Sequence, residues 1–86
     1  MTAPDSALRT LVNVGPAIAQ DLLRLGFHEP DDLAGADPVE LYDRLCQMDG
    51  TRHDPCVLDV FASAVAQADG EPARPWWEFS RERKAT

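Results

Sequence analysis

The sequence predicts an all-α fold, a single compact bundle of four to five short helices. Three observations carry this. Apolar residues recur at three- and four-residue spacing through most of the 86-residue chain, and no run alternates with the period of a strand. Asp-Pro pairs at 37–38 and 54–55 each supply a helix cap followed by a first helical residue. Glycines at 26, 50 and 70 fall just past the apolar runs, where left-handed caps end helices.

The elements follow in order. Ala7–Val12 reads as a first helix, capped by Asp5 or Ser6. Asn13-Val14-Gly15 stops it, and Pro16 starts a second helix whose apolar face is Ile18, Leu22 and Leu25, with Ala19 and Leu23 alongside. Pro30–Ala34 reads as a short helical turn with acids where the dipole favours them. A helix from Pro38 to about Met48 turns Val39, Leu41, Tyr42, Leu45 and Cys46 inward. The next, after Asp54-Pro55, carries Val57, Val60, Phe61, Ala64, Val65 and Ala68. Residues 1–70 thus form the helical domain. Residues 71–86 form a different segment that packs on it. In that segment Pro72 and Pro75 break any continuous helix, Trp76, Trp77 and Phe79 cluster, and Ser80–Lys84 is a helical turn or a loose basic tail.

The formal net charge of −7 is uneven: −9 over residues 1–73 and +2 over residues 74–86. An acidic body with a small basic tail is not the footprint of a protein that wraps a polyanion, although a local contact fits. Met1–Asp5 lacks a basic start followed by an apolar run, and no stretch is long enough to span a bilayer. The cytoplasm is therefore the expected compartment, no membrane partner is expected, and Cys46 and Cys56 are expected as reduced thiols.

Leu8–Leu25 reads as an N-terminal helix-hairpin-helix. Gly15 at the tight turn permits a close backbone approach and an unusual dihedral, and Asn13 tolerates positive φ. The start of the second helix offers free amides that can hold a phosphate oxygen. The run Val14–Ala19 with Asp21-Leu22, then Asp32–Ala34, Leu41-Tyr42, Leu45-Cys46, Asp54–Phe61 and Pro75–Trp77, resembles the small bacterial helix-hairpin-helix proteins of the pathogenicity-locus family, some of which are labelled mitomycin-resistance proteins. The resemblance covers about Leu8 to Trp77. It implies a helix-hairpin-helix (SAM-like) fold and a link to DNA. One departure stands out. DNA-binding hairpins often place Lys or Arg just after the Gly-Pro pair, and here Ala17 and Ile18 follow. Supporting charge would have to come from Arg9 or Arg24.

Chemistry-bearing residues are few. Cys46, His53 and Cys56 form a Cys-x6-His-x2-Cys pattern, with His28, Asp54 or Asp59 available as a fourth zinc ligand, but the spacing matches no common zinc module. Packing is the favoured reading of both cysteines, Cys46 in the core of its helix and Cys56 near the start of the next. Cys56, in the first turn of a helix beside Arg52 and His53, could be an activated thiolate, with Asp54 opposing. A reactive Cys56 would be alkylated before Cys46. No pair of carboxylates stands apart from capping roles, so no enzyme activity and no cofactor are expected. Adjacent Trp76 and Trp77 should place one ring inside and leave one partly exposed, either as a lid on the core or as a platform for a base or a protein partner. The leading expectation is a non-catalytic module that binds DNA weakly and without sequence preference. Its contacts would be Asn13, Val14, Gly15, Ala17, Ile18, Arg9 and Arg24 at the hairpin and Arg81, Arg83 and Lys84 in the tail. The alternatives are a protein-interaction module using the acidic body and the tryptophans, or a thiol or metal site at Cys46, His53 and Cys56.

Overall fold

The computed structural model describes residues 6–85. Among these, four α-helices and two 3-10 turns account for all regular structure: a turn at Leu8–Thr10, α1 (Pro16–Arg24), a turn at Pro30–Leu33, α2 (Pro38–Asp49), α3 (Pro55–Ala68) and α4 (Trp76–Ala85). Helix α3 is the central element. Its apolar face packs against α2, α4 and the Pro30–Leu33 turn. Phe61 of α3 and Leu8, Leu22, Leu33 and Leu45 are the largest fully buried apolar side chains of the shared core.

The caps behave as the sequence predicts. The Asp37 carboxylate accepts from the Val39 amide and the Asp54 carboxylate from the Cys56 amide, each at 2.9 Å. Gly50 closes α2 in the left-handed region at φ 63°. In the Pro30–Leu33 turn a reciprocal cap joins Glu29 and Asp32.

The structure departs from the sequence reading in four places. The first helix is a single 3-10 turn, its N-cap is Ala7 with no side-chain bond, and the alternative cap Asp5 lies outside the described residues. A stretch this short cannot form enough i to i−4 bonds to offset helix nucleation. Val12 is accordingly exposed. So is Val39, which sits in the first turn of α2 beyond the reach of the core. The segment read as a helical turn or a loose tail belongs to a ten-residue helix, Trp76–Ala85, which an ion pair fastens to α3. Gly15 is extended, at φ −89° and ψ −176°, and a Cβ there would meet nothing within 4 Å. The left-handed residue of the bend is Asn13, at φ 74°.

Candidate functional site

The bend between the first turn and α1 is fastened to α3 by side chains. Asn13 Nδ2 donates to the Arg74 carbonyl at 2.8 Å and to Ser63 Oγ at 3.1 Å. Gln67 grips Val12 from both sides: its Oε1 accepts from the Val12 amide and its Nε2 donates to the Val12 carbonyl, each at 2.9 Å. The same Nε2 reaches Ser63 Oγ at 3.1 Å, so the buried serine is shared by both clamps. Sequence reasoning missed Ser63 and Gln67. The available signal was two polar residues one helical turn apart on an otherwise apolar helix.

This frame holds the start of α1 open. Gly15 is the N-cap and has no side chain to fold back, and Pro16 has no amide to satisfy. The first backbone bond of the helix runs from the Ala19 amide to the Gly15 carbonyl at 2.9 Å. Among the described residues no group accepts from the Ala17 and Ile18 amides. Gly15, Pro16 and Ala17 are exposed, Val14 is buried beneath them, and Ile18 is half-buried. The amides therefore face solvent above an apolar floor.

The cationic residues divide sharply. Arg24 is not a free support for the bend. It donates to Asp21 Oδ1 at 3.3 Å and, more closely, to Asp49. Asp49 also meets His53 Nε2 at 2.7 Å, and Arg24 first and then His53 hold its carboxyl below the usual range. Burial has the larger effect on Asp21 and pushes its carboxyl up, against the pull of Arg24. Arg83 is likewise engaged: Nε and Nη2 take Asp59 Oδ1 and Oδ2 at 2.9 and 3.2 Å, and Asp59 is 1% exposed. A carboxylate this deep requires a charged partner, which fixes α4 on α3. Arg74 pairs with Glu82 at 2.8 Å and lies over the Phe79 ring. Arg44 donates to the Leu25 carbonyl at the end of α1. Arg9, Arg81 and Lys84 make no ion pair among the described residues, and all three are exposed.

The structure does not gather the candidate metal ligands. The His53 amide approaches Cys46 Sγ at 3.4 Å, but the His53 ring turns to Asp49 and Cys56 lies at the start of α3. Among the described residues no three His, Cys, Asp or Glu side chains come together as a metal site. The Asp54 carboxylate beside Cys56, then burial, push its thiol above the ordinary range, which works against an activated thiolate. The Tyr42 hydroxyl donates to the His53 carbonyl and closes the α2–α3 connection.

Trp76 and Trp77 meet edge to face, with centroids 6.0 Å apart and planes at 82°. Trp77 is 53% exposed and Trp76 is half-buried, so neither ring is a full core residue. Together with Cys56, Ser80, Arg81 and Lys84 they line an open cleft of about 410 Å³.

No helix among the described residues is long and apolar enough to cross a membrane. A small all-α chain with a tied bend, an uncapped helix start and an aromatic corner is the class this fold defines. Comparison narrows it: the family described as pathogenicity locus matches residues 3–85, and the chain belongs to that family. It is 53% identical over 85 residues to a protein named mitomycin resistance protein McrB from Streptomyces lavendulae, covering 98% of this chain and 81% of that one. No solved structure matches.

Proposed function

We propose that the chain is a non-catalytic binding module that holds the phosphate backbone of DNA, weakly and without sequence preference, at the bend before α1. The observation that carries this reading is the open start of that helix. A side-chain-free cap leaves the Ala17 and Ile18 amides without an acceptor among the described residues, and Ser63, Asn13 and Gln67 hold the bend in place. Backbone N–H groups of this kind bind phosphate oxygens at helix starts. A 3-10 turn followed through the bend by α1 is compatible with a hairpin reading of this stretch. Arg9 on that turn supplies supporting charge, while Arg24 does not, being held by Asp21 and Asp49. The relative's name speaks of resistance to mitomycin and leaves the mechanism open.

The test is a Gly15→Asp variant. Aspartate is a favoured cap and the position has room, so the helix should keep its stability or gain a few tenths of a kcal/mol. The same carboxylate would occupy the amides and repel phosphate. Titration of labelled duplex DNA at low salt should show binding by the parent chain, with a log–log salt slope of about −1 to −2 for one or two neutralised phosphates. Gly15→Asp should abolish that binding. Duplex affinity unchanged in the variant, or no binding by the parent at low salt, removes the proposal.

A further inference from the structure

The cleft at the start of α4 combines features that the bend lacks. Trp76 and Trp77 form a near right-angled aromatic corner, and Trp77 is exposed. Arg81 lies one helical turn beyond Trp77, and Lys84 one turn beyond Ser80, so both cations share the wall that carries the rings. The lining is mostly apolar, includes no carboxylate, and encloses about 410 Å³, within the roughly 300–1,000 Å³ of small-ligand clefts. Neither cation makes an ion pair among the described residues, in a protein of net charge −7. Asp54, close to Cys56 in the chain, accepts from the Cys56 amide at 2.9 Å and is not part of the lining. An exposed ring beside two unpaired cations suits a ligand with a flat π-face and an attached anion.

We infer that this cleft binds an unstacked nucleobase together with its phosphate, the base lying on Trp77 and the phosphate held by Arg81 and Lys84. The base can come from a single strand or from a free nucleotide, since both present the same two groups. A duplex cannot enter, because its bases are already stacked and paired. The site does not depend on the bend before α1, and either can fail without the other.

The experiment uses the full chain carrying Trp76→Phe, so that fluorescence reports Trp77 alone. It is titrated at low salt with a short oligothymidylate, with thymidine monophosphate and with a blunt duplex. The oligothymidylate should quench Trp77 strongly and the mononucleotide should quench it at higher concentration. Quenching by the mononucleotide alone also supports the cleft and assigns it to free nucleotides. Affinity for a labelled oligothymidylate should fall about tenfold in Trp77→Ala, the loss typical of one base–aromatic stack, and further in a combined Arg81→Glu, Lys84→Glu variant. All three side chains are exposed, so the variants should fold. No quenching by either single-stranded ligand overturns the inference. So does oligothymidylate binding that neither the tryptophan nor the charge variant weakens. Duplex binding that is absent while Trp77 is quenched refutes the reading of the bend and leaves this one standing.

Discussion

Asn13 is the residue on which the geometry of the bend turns, and its substitution separates two effects. The side chain makes two hydrogen bonds, to the Arg74 carbonyl and to Ser63 Oγ, and the backbone sits at φ 74°. In Asn13→Gly the dihedral is retained without strain and only the hydrogen bonds are lost. At about 0.5–1.5 kcal/mol net for each bond the sum is roughly 1–3 kcal/mol. The lower half of that range applies, because Ser63 Oγ keeps the Gln67 donor and the Arg74 carbonyl is near enough to the surface to find water. Asn13→Ala loses the same bonds and also forces a Cβ that favours other dihedrals into the left-handed region, adding about 1 kcal/mol. In a domain of this size 1 kcal/mol corresponds to about 4–8 °C in Tm, so the glycine variant should melt about 10 °C lower and the alanine variant up to roughly 20 °C lower. Thermal unfolding followed by far-UV circular dichroism gives both values. A glycine variant as stable as the parent would show that the two hydrogen bonds contribute nothing. Equal melting of the glycine and alanine variants would show that the dihedral carries no cost.

Two further outcomes follow from the electrostatics. Asp49 has its carboxyl held below the ordinary 3.8 by Arg24 and then His53, so its contribution is complete above that value and is lost as pH falls through the lower folded one. Tm should therefore drop between about pH 5 and pH 2, and Asp49→Asn should flatten that limb while lowering Tm at neutral pH; an unchanged acid limb would show that the Arg24–Asp49–His53 cluster contributes no stability. Cys56, raised by Asp54, should alkylate slowly at neutral pH, and Asp54→Asn should accelerate its labelling relative to Cys46, as read by mass spectrometry of the modified peptides. Labelling of Cys56 ahead of Cys46 in the parent chain would contradict this ordering.

Local chemistry made most of the architecture legible in the sequence. Asp37-Pro38 and Asp54-Pro55 announce their helices because capping and the missing proline amide act within one turn, and both caps appear as hydrogen bonds in the structure. Trp76–Ala85 was harder to foresee, since its stability rests on Arg83 reaching Asp59, 24 residues away in the chain. No periodicity encodes a pairing at that distance. The reverse error affected Ala7–Val12, where helical spacing was present but too few residues could propagate a helix. Asn13 was recognised as a residue that tolerates positive φ. Its second role, as a tie to Ser63 and Arg74, depends on tertiary contacts and was not readable.

Charge is where sequence and structure diverge most, and the divergence bears on function. Arg24 at the far end of α1 and Arg83 in the tail both look available on paper. Folding assigns the first to Asp21 and Asp49 and the second to buried Asp59, so each stabilises the scaffold and neither is open to a ligand. Arg44 donates to the Leu25 carbonyl and Arg52 lies over the Tyr42 ring. Arg9, Arg81 and Lys84 are exposed with no acidic partner among the described residues. One of them stands on the turn leading into the open helix start, and the other two line the aromatic cleft. A chain this acidic repels polyanions at long range, so an anionic ligand must be held by short-range contacts: two backbone amides at one place, a ring and two side chains at the other. Such contacts predict low affinity, a modest loss with salt at both places, and a stacking component at the cleft that salt does not remove.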